Sequence, residues 1–125
     1  MKIYKTKAFV RLAHKERIDD LKLCEAIDRA EKGLLDTSLG KFLIKQRVAR
    51  PNEGQSGGYR TIVFHQQNHR AVFLHLFAKN DKGNLIPDEL ATYREFAKHL
   101  AELTVEQVNV LVGQGRWTEV QRDKL

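Results

Sequence analysis

The sequence predicts an α+β fold, a small antiparallel sheet with an N-terminal helical hairpin and C-terminal helices. Apolar residues recur at helical spacing near both ends of the chain, whereas short alternating or apolar runs bounded by turn residues fill its middle. A length of 125 residues with 42% hydrophobic content suits one core. We therefore expect a single domain over residues 1–125.

The first part of the chain predicts a strand followed by the helical hairpin. A short strand is expected over residues 2–6, and Thr6 can cap the helix that follows. A second helix is expected from Asp19 or Asp20 until Gly33 stops it. The inward faces of the two helices are predicted to hold Phe9, Leu12 and Ala13, and Leu21, Cys24, Ile27 and Ala30.

The middle of the chain predicts a linking turn over residues 34–40 and then three strands. Residues 42–48 alternate apolar and charged positions, as in a half-exposed strand, and residues 59–66 form the next strand before a turn at 67–69. Residues 71–79 are apolar throughout, which favours a central strand covered on both faces. Strict alternation places Val72, Leu74 and Leu76 on one face and Phe73, His75 and Phe77 on the other.

Two helices and a short strand are predicted after a loop at residues 80–84. Pro87 is suited to the first turn of a helix, in which Leu90, Tyr93, Phe96 and Leu100 recur at helical spacing. Thr104 and Gln107 match a capping box for the final helix. A last short strand is expected over residues 117–120.

Composition narrows the classes of partner. Lys and Arg number 22 against 16 Asp and Glu, and a net charge of +6 favours contact with nucleic acid, an anionic membrane or an acidic protein. The single cysteine, Cys24, excludes an internal disulfide and a zinc framework, so we expect no metal and no cofactor. The chain shows neither a signal peptide nor an apolar run of membrane-spanning length, and we expect a cytoplasmic protein.

Cations concentrate at corresponding ends of three predicted strands. Lys45 and Arg47 lie in the second half of the first strand and Arg50 just after it, Arg60 lies at the start of the second, and Lys79 ends the third. The turn between the first two contains Gly54, Gly57 and Gly58, which leave the backbone bare. Because like charges repel, this grouping predicts a cupped positive surface for a polyanion.

Four segments in order carry a resemblance to a known family. They are Lys45-x-Arg47-Val48-Ala49, Gly54-x-Ser56-Gly57-Gly58-Tyr59-Arg60, Phe77-Ala78-Lys79-Asn80 and Glu89-Leu90. Together they resemble the RelE/ParE superfamily of bacterial toxins, and within it the HigB-like branch of RelE toxins. The resemblance implies a RelE-like fold, a toxin of a type II toxin–antitoxin pair, and cleavage of mRNA on the ribosome by attack of an RNA 2′-hydroxyl on the adjacent phosphate.

The resemblance also implies roles for individual residues. Arg60 is the candidate for stabilising charge on phosphorus, Lys79 for the leaving-group side, and Lys45 for proton transfer, and these form the predicted catalytic set. The predicted RNA-binding set is Arg47, Arg50, Tyr59 and Tyr93. The implied partners are mRNA, the ribosome and a cognate antitoxin with a helix-turn-helix fold, and no membrane.

Other interpretations remain open at this point. Gln55 stands where relatives carry lysine, and Lys79 stands where several ribosome-dependent members use arginine. ParE-like members inhibit DNA gyrase instead of cutting RNA, and a non-catalytic nucleic-acid-binding module would use the same cations. Lys45 and Arg47 also suit the solvated face of an edge strand, and His75 suits a neutral histidine in the core.

Overall fold

The computed structural model describes residues 1–49, 58–78 and 86–122. Within these residues the protein forms six strands and four helices. They follow in the order β1 (Lys2–Thr6), α1 (Lys7–Lys15), α2 (Asp20–Glu31), β2 (Thr37–Gly40), β3 (Leu43–Val48), β4 (Tyr59–Gln66), β5 (Arg70–Ala78), α3 (Pro87–Ala101), α4 (Val105–Gly113) and β6 (Trp117–Glu119).

The strands form one sheet in the order β2-β3-β4-β5-β1-β6. All neighbouring strands are antiparallel except β1 and β5, which run parallel. The antiparallel majority, with helices packed on both sides, confirms the predicted α+β class.

Each face of the sheet has its own apolar cluster. On the first, here called the hairpin face, Phe9 of α1 and Ile27 of α2 pack against Val63 and Phe73. On the opposite face, here called the C-terminal face, helices α3 and α4 pack against the sheet. The C-terminal cluster includes Leu43, Ile62, Phe64, Val72, Leu74, Phe77, Ala97, Leu100 and Val108. The sheet is therefore the middle layer of three.

Helix starts agree with the predicted caps. Thr6 Oγ1 accepts a hydrogen bond from the Phe9 amide at 3.2 Å, and Asp19 Oδ1 accepts one from the Lys22 amide at 3.1 Å. Asp20 instead forms an ion pair with Lys5 at 2.7 Å, so Asp19 is the cap. Thr104 and Gln107 form the predicted reciprocal capping box. None of the helices in the described ranges is long and apolar enough to cross a membrane.

The prediction of a linking turn over residues 34–40 is wrong for its second half. Thr37–Gly40 is an edge strand that pairs with β3, and Phe42, predicted in β3, lies in the connecting turn with a φ of +61°. The segment is short and mostly exposed, and apolar and polar residues do not alternate along it. An edge strand has a neighbouring strand along one edge only, so its sequence carries a weaker strand signal.

The predicted faces of β5 are also wrong beyond Leu74. Ile62 pairs with His75 and Val63 with Phe73, so Leu74 is an extra residue in a β-bulge. A bulge reverses the alternation of the residues after it. As a result Leu76 joins the hairpin-face cluster, whereas Phe77 joins the C-terminal face together with Val72 and Leu74.

Candidate nucleic-acid interface

Three of the predicted cations lie on the C-terminal face at one end of the sheet. Arg47 of β3 and Arg60 of β4 are directly opposite each other, and Lys45 is opposite Ile62. Residues opposite each other across two strands point to the same face, and their Cβ atoms are about 4.5–5.5 Å apart. Arg60 in turn pairs with Phe77, and Ile62 with His75. The structure therefore places Lys45, Arg47 and Arg60 together on the face that α3 partly covers.

Two nitrogen atoms of this group are buried without a hydrogen-bond partner. They are Nε of Arg47 and Nη1 of Arg60. Within residues 1–49, 58–78 and 86–122, neither side chain forms an ion pair with a carboxylate. This holds also for Glu89 in the first turn of α3. Like charges on residues directly opposite each other repel, and unpaired buried donors cost free energy. An anion bound between them would remove both penalties.

The main chain of Arg47 is held from the hairpin face. Its amide donates to the carboxylate of Asp36, and its carbonyl accepts from the guanidinium of Arg29. Next to it, the side chain of Gln46 is completely buried and donates through Nε2 to the carbonyls of Ala26 at 3.0 Å and Leu34 at 3.1 Å. These bonds fix β3 while Nε of Arg47 stays without a partner, an arrangement that suits ligand binding.

Gly58 allows β3 and β4 to approach each other before Arg60. A Cβ atom at this position would lie 2.6 Å from the carbonyl oxygen of Val48 and 3.4 Å from Cγ of Arg47. Real Cβ atoms do not approach a backbone oxygen that closely, so only glycine fits here. The absence of a side chain thus brings Arg60 into register with Arg47.

His75 and Tyr93 border the cations on the same face. Their rings are stacked with centroids 6.2 Å apart, and the His75 ring is 6.1 Å from that of Phe77. Burial lowers the pKa of His75 from its ordinary 6.5, and the Glu89 carboxylate opposes this shift. Burial, followed by Glu89, raises the pKa of Tyr93 above its ordinary 10.0. At neutral pH the site therefore holds a neutral imidazole and a neutral phenol.

His75 lies beside the cation group, although the sequence favoured a place for it in the core. Strict alternation along β5 gave it the same face as Phe73, but the bulge at Leu74 turns it toward α3, where it is half-buried beside Tyr93. No local sequence signal marks this bulge. Tyr93, by contrast, was predicted as an RNA contact, and the structure places it at the border of the cation group.

The structure does not bring Tyr59 to this group. Tyr59 is 5% exposed on the hairpin face, and its hydroxyl donates to Oε2 of Glu16 at 2.7 Å. Arg50 and Lys79, together with Gly54 and Gly57 of the predicted turn, lie outside the described residues. The group that the structure assembles is thus Lys45, Arg47, Arg60, His75 and Tyr93.

This group can bind a phosphate chain and stack a base. Two guanidinium groups and one ammonium group can contact successive phosphates, because arginine forks match phosphate oxygens and lysine acts as a point charge. The stacked rings of His75 and Tyr93 offer an apolar surface with polar edges beside the cations. The combination is typical of a single-stranded nucleic-acid surface.

Comparison with known proteins assigns the family. No curated protein matches the chain. The family model described as the RelE toxin of the RelE/RelB toxin–antitoxin system matches residues 1–120, which is nearly the whole length. The mostly antiparallel sheet with helices on both faces is consistent with that match. The chain therefore belongs to the RelE family of toxins from toxin–antitoxin systems.

Proposed function

We propose that the protein is an endoribonuclease that cuts mRNA bound at the ribosome and is neutralised by a cognate antitoxin. The observation that carries the proposal is the Arg47–Arg60 pair, two arginines opposite each other on neighbouring strands, each with one buried donor that has no partner. A phosphate between them would satisfy those donors and reduce the repulsion. Translated mRNA is cytoplasmic, so the proposal includes a cytoplasmic site of action.

The chemistry needs no nucleophile from the protein. The RNA 2′-oxygen bonds to the adjacent phosphorus, and the bond from phosphorus to the 5′-oxygen breaks. One proton leaves the 2′-hydroxyl and one reaches the departing 5′-oxygen, so the products carry a 2′,3′-cyclic phosphate and a 5′-hydroxyl. The developing charge on the phosphoryl oxygens is the feature that a catalyst must stabilise.

Each group in the site suits one part of this reaction. Arg60 stabilises charge on the reacting phosphate, and Arg47 holds it or its neighbour. Two groups can exchange protons at the same surface, the ammonium of Lys45 and the neutral imidazole of His75. Tyr93 supports a displaced base through its stack with His75. Lys79, predicted on the leaving-group side, and Arg50, predicted to bind RNA, stay predictions.

The proposal is tested with purified protein and a translating ribosome complex that carries end-labelled mRNA. We expect cleavage that leaves a 2′,3′-cyclic phosphate and that is lost in Arg60→Ala. The matched control is Arg11→Ala, which removes an exposed arginine from α1. Intact mRNA together with inhibition of DNA gyrase supercoiling would replace the proposal with a ParE-like function. Binding of RNA without cleavage or growth arrest would replace it with a nucleic-acid-binding module.

The antitoxin partner is tested by coexpression with each neighbouring gene. We expect one small neighbour, encoding a helix-turn-helix protein, to restore growth and to copurify as a complex without cleavage activity. An acidic segment of that partner would mask the cations and associate rapidly at low salt. Failure of every neighbour to bind or to restore growth would contradict the antitoxin proposal.

A further inference from the structure

A separate cavity of about 330 Å³ lies between α4 and the ends of β1 and β5. Its walls include Lys2, Tyr4 and Arg70 from the sheet and Val105, Val108 and Val112 from α4. Arg70 begins β5, whereas the partner of Arg60 near the other end of that strand is Phe77. At about 3.3 Å per residue the two positions are about 23 Å apart along the strand, so this cavity is distinct from the cation group.

Arg70 is the unusual residue of this cavity. It is 6% exposed, and its Nη1 atom is buried without a hydrogen-bond partner. No carboxylate in the described part of the chain lies within ion-pair distance of it. Because arginine stays protonated in proteins, a mostly buried positive charge lies here without an ion pair to any carboxylate of the described residues; Glu119, which lines the same cavity, pairs with Lys2 instead. Such an arrangement is costly unless a ligand supplies the anion.

The charge balance of the cavity indicates how much negative charge a ligand should carry. Lys2 and Glu119 both line the cavity, but they pair with each other at 3.0 Å and leave no net charge. Arg70 therefore contributes one uncompensated positive charge. The α4 side of the cavity consists of the three valines and the uncharged amide of Asn109, and His69 completes the lining next to Arg70. The α4 side therefore provides no partner for further charge. A ligand with one anionic group and an apolar body matches both parts.

We propose that this cavity binds a monocarboxylate with a short branched apolar body. The carboxylate accepts hydrogen bonds from the guanidinium of Arg70, and the branched body packs against Val105, Val108 and Val112. A planar carboxylate matches the guanidinium fork through two parallel bonds. Tyr4 also lines the cavity on the sheet side, and its phenol can act as a further donor. The same chemistry is available from a free carboxylic acid or from an acidic residue beside apolar residues in a bound partner.

The site is tested by titrating the full chain, isotope-labelled for NMR, with 3-methylbutanoate and with its neutral isostere 3-methylbutanamide. We expect saturable shifts of the methyl signals of Val105, Val108 and Val112 with the acid. The amide should bind about tenfold or more weakly, because it cannot pair with the guanidinium charge. Equal binding of acid and amide, or no saturable shifts with the acid, would overturn the proposal.

Two variants test the guanidinium group and the cavity volume separately. Arg70→Met keeps the length of the side chain but removes its charge and donors, and we expect it to lose the preference for acid over amide while unfolding at an equal or higher temperature. Val105→Trp covers the cavity from an exposed position and should abolish acid binding even if Arg70→Met fails to fold. The matched control Arg11→Met should bind as the parent does. Unchanged binding in a folded Arg70→Met or in Val105→Trp would reject the site.

The source of the carboxylate is distinguished in the complex with the antitoxin. If the partner supplies the acidic group, 3-methylbutanoate should no longer shift the valine signals in the complex. If the ligand is a free acid, the shifts should persist. Both results require that the acid binds the free chain, and that measurement uses neither RNA nor ribosome. Absence of acid binding and absence of the proposed ribonuclease activity are therefore separate observations.

Discussion

Arg47 and Arg60 face each other across adjacent antiparallel strands, with a buried donor of each side chain left unpaired. A pair of this kind opposes folding, since like charges directly across a ladder repel. The hydrogen bonds to the main chain of Arg47 and the close approach at Gly58 hold it in place. The fold thus maintains a repulsive pair that a bound phosphate would stabilise.

Arg60→Ala should abolish growth arrest without unfolding the protein. Loss of one contact to the charge that develops in the transition state costs about 10²–10³ in rate. The measurements are single-turnover cleavage of ribosome-bound mRNA and thermal unfolding followed by circular dichroism. Arg11→Ala should retain the parent rate. A folded Arg60→Ala variant that cleaves at the parent rate would remove Arg60 from the mechanism.

Binding of single-stranded RNA should weaken steeply with salt. Each phosphate contact contributes about −0.7 to the slope of log affinity against log salt, so three cations predict a slope of about −2. Lys45→Ala and Arg47→Ala should each flatten it by about 0.7. Fluorescence anisotropy at several salt concentrations gives the slope. Lys41→Ala, at an exposed position in the turn between β2 and β3, is the control, and a parent slope near zero would contradict phosphate binding.

Gly58→Ala should destabilise the protein and impair cleavage together. The added methyl group would meet the Val48 carbonyl, and overpacking of this kind costs about 1–3 kcal/mol. Gly113→Ala is the matched control, because a Cβ there meets nothing within 4 Å and the substitution should stabilise by about 0.4–1 kcal/mol. Urea denaturation measures both. Equal stability of Gly58→Ala and the parent would show that the strands need no close approach here.

His75 should make stability depend on pH. Burial lowers its pKa in the folded protein, so the unfolded chain binds more protons in the window between the folded pKa and about 6.5. The stability that neutral His75 contributes is present above the pKa of the unfolded chain. It is lost as the pH falls through the pKa of the folded protein. As the pH falls, the free energy of unfolding of the parent should therefore decrease relative to that of His75→Asn.

The same variant tests the role of His75 in proton transfer. A neutral imidazole that accepts the 2′-hydroxyl proton is active above its pKa, so parent cleavage should fall on the acid side, and His75→Asn should be slow with that acid limb removed. His99→Asn, at an exposed position of α3, is the control. An unchanged pH profile in His75→Asn would assign proton transfer to another group.

Local signals in the sequence were sufficient for most elements. Thr6 and Thr104 lie at helix starts because their hydroxyls satisfy an amide three residues later, a relationship contained in four consecutive residues. The helical spacing of Leu90, Tyr93, Phe96 and Leu100 likewise predicted that Tyr93 lies in a helix. Arg47 and Arg60 could be grouped because consecutive antiparallel strands bring the end of one next to the start of the other. The sequence did not predict that the two residues lie directly opposite each other.

The features that the sequence did not reveal depend on contacts between distant segments. The bulge at Leu74 arises from the fit of β5 against its neighbours, and it alone decides that His75 faces α3. The burial of Gln46 depends on carbonyls of Ala26 and Leu34, which nothing near Gln46 in the sequence indicates. Tyr59 was predicted at the RNA surface, but its hydroxyl finds Glu16 on the other face of the sheet.

The position of β1 between β5 and β6 sets the order in which the protein can be completed during synthesis. Lys2 pairs with Arg70, and Tyr4 pairs with Glu119 near the opposite end of the chain. Among the described strands, β1 is made before β6 and its outer edge stays uncovered until β6 pairs with it. Pairings this distant along the chain close slowly, on the order of milliseconds to seconds. A nascent toxin thus lacks this six-stranded sheet until β6 has left the ribosome that makes it.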